Sequence, residues 1–235
     1  EGGAAWRAAA AIFPRGSFDL IYARPGQTNA AWERELNEVL DEVSRCGITH
    51  LSLYQLTMED GTPMAADYAR GAFKLPDEDN GAVLYETTQT LCEAAGFPAY
   101  EISNHARADA ACRHNLTYWR GGDYVGVGPG AHGRLTIDGT ARATRQIKAP
   151  ALWLKKVERE GAGTQEEERL AVDARAEELV MVGLRIAEGL DKARFARLSG
   201  RDLSAVVNQE ALGMMIREGL LIETPEHLVA TARGR

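Results

Sequence analysis

Residues Cys112 to His132 (CRHNLTYWRGGDYVGVGPGAH) set an imidazole, two large aromatic rings and a run of flexible backbone side by side. His114 offers a ring nitrogen to a metal, while Tyr118 and Trp119 offer flat apolar surface with a polar handle. Gly121, Gly122, Gly126, Gly128 and Gly130 let main chain approach closely. The chemistry open to such a group is to hold a planar ligand. Nothing else in the chain combines the three properties.

His114 and Tyr118 are four residues apart, so a helical turn over Asn115 to Trp119 places imidazole and phenol on one face. A histidine by itself is more often an ordinary hydrogen-bonded side chain than a ligand, but its neighbours change the weighing. Haem iron accepts an axial histidine and a porphyrin plane stacks on aromatic rings, which makes haem the natural ligand for His114, Tyr118 and Trp119. His105 and His132 compete with His114 for the iron. Gly126, Gly128 and Gly130 imitate a dinucleotide loop, but no helix or ribose-binding acid follows them, and Pro129 lacks an amide proton. Close packing of backbone against a ligand or a neighbouring strand explains these glycines better.

Asp19 lies inside the apolar run FDLIY, where burial of an unpaired carboxylate costs of the order of several kcal/mol. It is expected to find a backbone amide, a basic side chain, or a polar ligand at the mouth of the sheet, where α/β folds bind their ligands.

The elements that must position these residues follow an α/β grammar. Phe18–Tyr22 reads as a strand, Thr28 as an N-cap, Trp32, Leu36, Val39, Leu40 and Val43 as a helical face closed by Gly47, and His50–Thr57 as the next strand. Asp77 caps a second helix with Leu84, Thr88, Leu91 and Ala95 on one face, and Ala99–Ser103 reads as a further strand. Two such units predict parallel strands joined by right-handed crossovers, in a (β/α) barrel or a doubly wound sheet. A boundary is expected between residues 148 and 149. Beyond it a helix follows Pro150, then helices at Leu170–Ala187, Asp191–Leu198 and Leu203–Arg217, and a hairpin of Leu220–Glu223 with Leu228–Thr231.

The composition narrows the partners. A net charge of −7, with ten basic against thirteen acidic residues between Gln165 and Arg235, argues against nucleic acid as a partner even though three helices and a hairpin outline a winged helix. The absence of a long apolar run predicts a soluble, cytoplasmic protein. Cys46, Cys92 and Cys112 are too widely spaced for a disulfide framework or a zinc ribbon and read as reduced, mostly buried thiols.

The segments FDLIYARPGQT (Phe18–Thr28), LSLYQLTMEDGTP (Leu51–Pro63), YEISNHA (Tyr100–Ala106) and HNLTYW (His114–Trp119) resemble successive motifs of radical S-adenosylmethionine proteins related to oxygen-independent coproporphyrinogen III oxidase. The HNxxYW pattern is similar to the haem motif of the HemW haem chaperones. The resemblance implies a partial (β/α) barrel over residues 1–148 and a winged-helix-like α+β domain over 149–235. It also implies S-adenosylmethionine beside Asp19, Thr57 and His132, haem on His114, Asn115, Tyr118 and Trp119 with His114 toward the iron, a haem-accepting, respiratory partner protein, and a homodimer. The oxidase activity itself and a winged-helix interaction module are the alternatives.

The family's CxxxCxxC, which ligates a [4Fe-4S] cluster, is absent. The three cysteines cannot replace it, since cluster ligands lie close together. The expectation is that the ligands belong to a segment outside this chain, which alone carries out no radical chemistry.

Overall fold

In the computed structural model, which describes residues 2–13 and 15–235, α-carbon contacts divide the chain into two compact units, Glu1–Cys112 and Arg113–Arg235. The first contains, in order, α1 (Gly2–Ile12), β1 (Ser17–Tyr22), α2 (Asn29–Arg45), β2 (His50–Gln55), α3 (Pro63–Ala69), α4 (Glu78–Ala94) and β3 (Asn104–Ala106). Thr28 and Asp77 cap α2 and α4, each accepting from a first-turn amide, so the expected helix starts are confirmed. Strands β1 and β2 are parallel, with Ser17 opposite His50 and Asp19 opposite Ser52.

The core of this unit lies between the sheet and the two long helices. Tyr22 stacks on Trp32 with ring centroids 4.9 Å apart, and Leu36, Leu40, Leu51, Leu53, Leu84 and Phe97 close around them. The Trp32 indole donates to Thr88 Oγ1 at 2.8 Å, giving the one polar atom of that ring a buried partner. Burial pushes the Tyr22 phenol up to about 12.

The expected third parallel strand is corrected. Residues Glu101 to Ser103 form a tight reversal, and β3 beyond it runs antiparallel to β2. The cause is Glu101, wholly buried, whose carboxylate accepts from the Ser103 amide and hydroxyl and from the Asn104 amide side chain. Those bonds reward a turn where alternating residue types suggested extension. Ala99 bridges His105 antiparallel, so the segment before the turn runs in the direction of β1 and β2, one place further out.

The second unit contains α5 (Arg113–Trp119), β4 (His132–Ile137), β5 (Thr140–Gln146), α6 (Pro150–Glu160), β6 (Thr164–Arg169), α7 (Val172–Gly183), β7 (Leu190–Asp191), α8 (Lys192–Ser199), α9 (Leu203–Val206), α10 (Gln209–Arg217), β8 (Leu221–Glu223) and β9 (His227–Ala230). Strands β4, β5 and β6 form an antiparallel meander, and β7, β9 and β8 a smaller antiparallel sheet. A core of Leu179, Phe195, Leu203, Leu212 and Leu228 joins the helices to the small sheet.

The apolar spacing predicts one helix over Leu203–Arg217. There are two, because Val207 is extended and the Asn208 side chain caps α10 by accepting from the Ala211 amide. Strand β6, TQEEER, also lies in a region read as mainly helical. Its charged residues are exposed, and ladder pairing with β5, including ion pairs of Arg142 with Glu167 and Arg145 with Glu166, holds it extended.

Candidate functional site

Helix α5 does what the four-residue spacing predicts. The Tyr118 hydroxyl and His114 Nε2 are 2.9 Å apart, and their rings meet edge to face with centroids 4.6 Å apart. His114 itself is exposed. In the tautomer where Nε2 carries the proton and donates to Tyr118, the lone pair open to an electrophile is on Nδ1. Asn115 is half-buried, and the Trp119 ring carries the Arg185 guanidinium 4.5 Å from its centroid. Trp119 Nε1 is buried without a hydrogen-bond partner among the described residues.

The glycine-rich stretch after α5 packs backbone against backbone. Tyr124 and Arg134 exchange amide hydrogen bonds of 2.7 and 2.9 Å, so the chain before β4 lies against β4 itself. A Cβ on Gly126 would stand 2.5 Å from the His132 carbonyl oxygen, and one on Gly133 would stand 3.0 Å from the Gly126 amide nitrogen. The neighbouring-strand reading of the glycines therefore holds for Gly126. Gly121, with φ of 68°, turns the chain out of α5, and a Cβ there would strike the Leu179 side chain.

This folding brings Tyr124 edge to face with Tyr118, at a centroid separation of 4.2 Å. The aromatic series His114, Tyr118, Tyr124 leads to a cavity of about 250 Å³ lined by Tyr118, Trp119, Tyr124, Arg134, Arg175, Glu178 and neighbouring small residues. Glu178 bridges two guanidinium groups: Arg134 Nε donates at 2.8 Å and Arg175 Nη1 at 2.7 Å. Arg175, 5% exposed, also donates to the Gly121 carbonyl at 2.6 Å. Burial raises the pKa of the Tyr124 phenol. Tyr124, Arg134, Arg175 and Glu178 were not among the residues singled out in the sequence. The one available signal was Tyr124 standing within the glycine run.

Of the predicted S-adenosylmethionine residues, Asp19 and Thr57 belong to the first unit and His132 to the second. Asp19 is exposed, which corrects the expectation of a buried carboxylate: strand β1 turns Phe18, Leu20 and Tyr22 toward the core and Ser17, Asp19 and Ile21 away from it. Its face of the sheet is polar. The Ser17 hydroxyl lies 3.4 Å from Asp19 and 2.7 Å from His50 Nδ1, while His50 Nε2 meets the Tyr100 hydroxyl at 2.8 Å. Burial lowers the His50 pKa, opposed by the nearby Asp19 charge. Thr57 is exposed two residues after β2, five residues beyond Ser52, the partner of Asp19. His132 is exposed at the start of β4, in the second unit.

His105 leaves the list of iron-ligand candidates, since it is 1% exposed inside the first unit. The three cysteines are free, and Cys92 alone among them is fully buried. Burial pushes its thiol up to about 12. Among the described residues no three His, Cys, Asp or Glu side chains form a group that could hold a metal ion. No helix among them is long and apolar enough to cross a membrane.

The mixed α/β architecture of the chain has a solved counterpart. Its whole length matches the solved structure "Coproporphyrinogen III oxidase (HemN) from Escherichia coli is a Radical SAM enzyme", with TM-score 0.73 and 17% identity, covering 100% of this chain and 56% of that one. Residues 170–235 match the family described as HemN C-terminal domain. The chain is 34% identical over 234 residues to the haem chaperone HemW of Mycobacterium tuberculosis (strain H37Rv), covering 99% of this chain and 55% of that protein. It is 31% identical over 219 residues to HemW of Bacillus subtilis, covering 93% and 55%. Over 180 residues it is 38% identical to the mitochondrial radical S-adenosyl methionine domain-containing protein 1 of Danio rerio, covering 75% and 40%. Over nearly its whole length the chain is similar to haem chaperones named HemW, and its C-terminal segment matches the HemN C-terminal domain. It spans about half the length of the curated relatives it matches.

Proposed function

We propose that the chain is the haem-handling portion of a HemW-type chaperone, which receives haem at helix α5 and delivers it to a haem-requiring protein. The observation that carries this reading is the pairing of His114 with Tyr118 on one helical face, with the imidazole exposed and its orientation fixed by the phenol. A ligating histidine is held in this way, one ring nitrogen bound to a neighbour and the other free for the metal. Asn115 and Trp119 belong to the same short helix and complete the haem-contacting set.

Asp19, Thr57 and His132 are the residues proposed to meet S-adenosylmethionine. The exposed Asp19 carboxylate supports this, because it offers acceptors for amine and hydroxyl groups on a polar sheet face. The residues present do not fit a [4Fe-4S] cluster, whose ligands we assign to sequence outside this chain. Residues 1–148 are proposed to be part of a barrel and 149–235 a winged-helix-like domain. The latter is supported by the HemN C-terminal match from residue 170 and by helices α7 to α10 followed by the β8–β9 hairpin. A cytoplasmic setting, a respiratory acceptor and a homodimer complete the proposal.

The test is titration of hemin into the 235-residue chain and its His114→Ala variant, followed by the Soret band. The variant is expected to lose the shifted band; equal shifts and equal affinities remove His114 from the account.

A further inference from the structure

The cavity beside α5 holds more positive charge than its own carboxylate neutralises. Two guanidinium groups, Arg134 and Arg175, converge on the single carboxylate of Glu178, and among the described residues no other acidic side chain lines the space. Two partly desolvated cations against one anion leave a net positive charge, which a second anion would compensate.

The two arginines are not equivalent. Arg175 is almost fully buried and engaged by Glu178 and by the Gly121 carbonyl. Arg134 is about a quarter exposed, donates through Nε to Glu178 and through Nη1 to Gly133, and its Nη2 makes no hydrogen bond among the described residues. Its backbone is locked to that of Tyr124, which fixes where the guanidinium emerges on the cavity wall. Planar guanidinium pairs with carboxylate through two parallel bonds, and Arg134 retains donors for such a pair.

The shape narrows the ligand. At about 250 Å³ the cavity is smaller than the roughly 300–1,000 Å³ of sites that enclose a whole small molecule, so it suits one edge of a larger, flat one. Its walls are Tyr118, Trp119 and Tyr124, and Tyr118 connects it directly to His114. A planar molecule that meets His114 at its centre and carries a carboxylate at its rim satisfies both ends of this arrangement.

We propose that Arg134 is the receiving group for a propionate carboxylate of haem, with Tyr124 flanking the edge that enters the cavity. This rests on the haem-binding reading of α5 and adds to it the part of the ligand that is selected. Haem is then held at two points, the imidazole and the guanidinium, and the orientation of the ring follows from both.

The experiment compares hemin with hemin dimethyl ester, in which both propionates are masked, on the wild-type chain and on the Arg134→Gln and His114→Ala variants. Wild type is expected to bind hemin roughly tenfold to a hundredfold more tightly than the ester, the range of a charged hydrogen-bonded pair. Arg134→Gln is expected to abolish that preference while keeping a Soret shift that depends on His114. Equal affinity of the wild-type chain for hemin and ester overturns the proposal whether or not the variant folds. A preference that survives in folded Arg134→Gln also overturns it and leaves the arginine as a strut between β4 and α7. If His114→Ala binds hemin as wild type does, the haem-binding reading of α5 fails and the propionate assignment with it, an outcome distinct from the other two.

Discussion

Acid should weaken the first unit through His105, and the structure sets the size of the effect. Its ring is 1% exposed, with Nδ1 3.3 Å from the Phe97 carbonyl and Nε2 buried without a hydrogen-bond partner among the described residues. Burial lowers its pKa from 6.5 to about 4, only partly opposed by the Phe97 carbonyl and the Glu101 charge. As pH falls, the unfolded chain takes up the proton first, so the stability contributed by the neutral ring is complete above the unfolded value. It is lost progressively down to the folded one. Between about pH 8 and about pH 5 the loss from this one group comes to about 2 kcal/mol, a factor of roughly thirty in the opening equilibrium. His50, whose pKa burial also lowers, adds a change of the same sign. Amide hydrogen exchange of peptides covering Trp32 to Leu53, corrected for the intrinsic pH dependence of exchange, measures it. In His105→Phe, which cannot titrate, the acid-induced loss of protection should shrink by about thirtyfold. Parallel losses in wild type and variant over that range would refute the reasoning.

Two further outcomes concern packing. Thr88→Val removes the acceptor of the buried Trp32 indole, and should cost about 1–3 kcal/mol by urea unfolding. Gly126→Ala sets a methyl against the His132 carbonyl at a distance no relaxed contact tolerates. It should destabilise the second unit by about 1–3 kcal/mol and lower its unfolding temperature, whereas alanine at Gly128, whose Cβ would meet nothing, suffers only the strain of its φ of 100°.

The local elements were legible because short-range chemistry specifies them. Thr28 and Asp77 each accept a first-turn amide bond, apolar residues recur along α2 and α4, and the spacing of His114 and Tyr118 fixes their contact once α5 forms. The similarity to HemW could be read from the same segments, since FDLIYARPGQT and HNLTYW are runs of contiguous residues.

What the sequence did not determine depends on partners distant along the chain. Asp19 has the same apolar neighbours whether β1 turns it toward the core or away, and only the packing of Phe18, Leu20 and Tyr22 toward the helices decides which. The direction of β3 rests on a buried carboxylate gathering three hydrogen-bond donors, which alternation of residue types does not encode. The cavity beside α5 joins Tyr118, Arg134 and Glu178 from three elements, and Arg134 and Glu178 are 44 residues apart. Sequence supplied the imidazole and the aromatic rings as one short word, whereas the cationic wall exists only because β4, α7 and the glycine-rich stretch fold against one another.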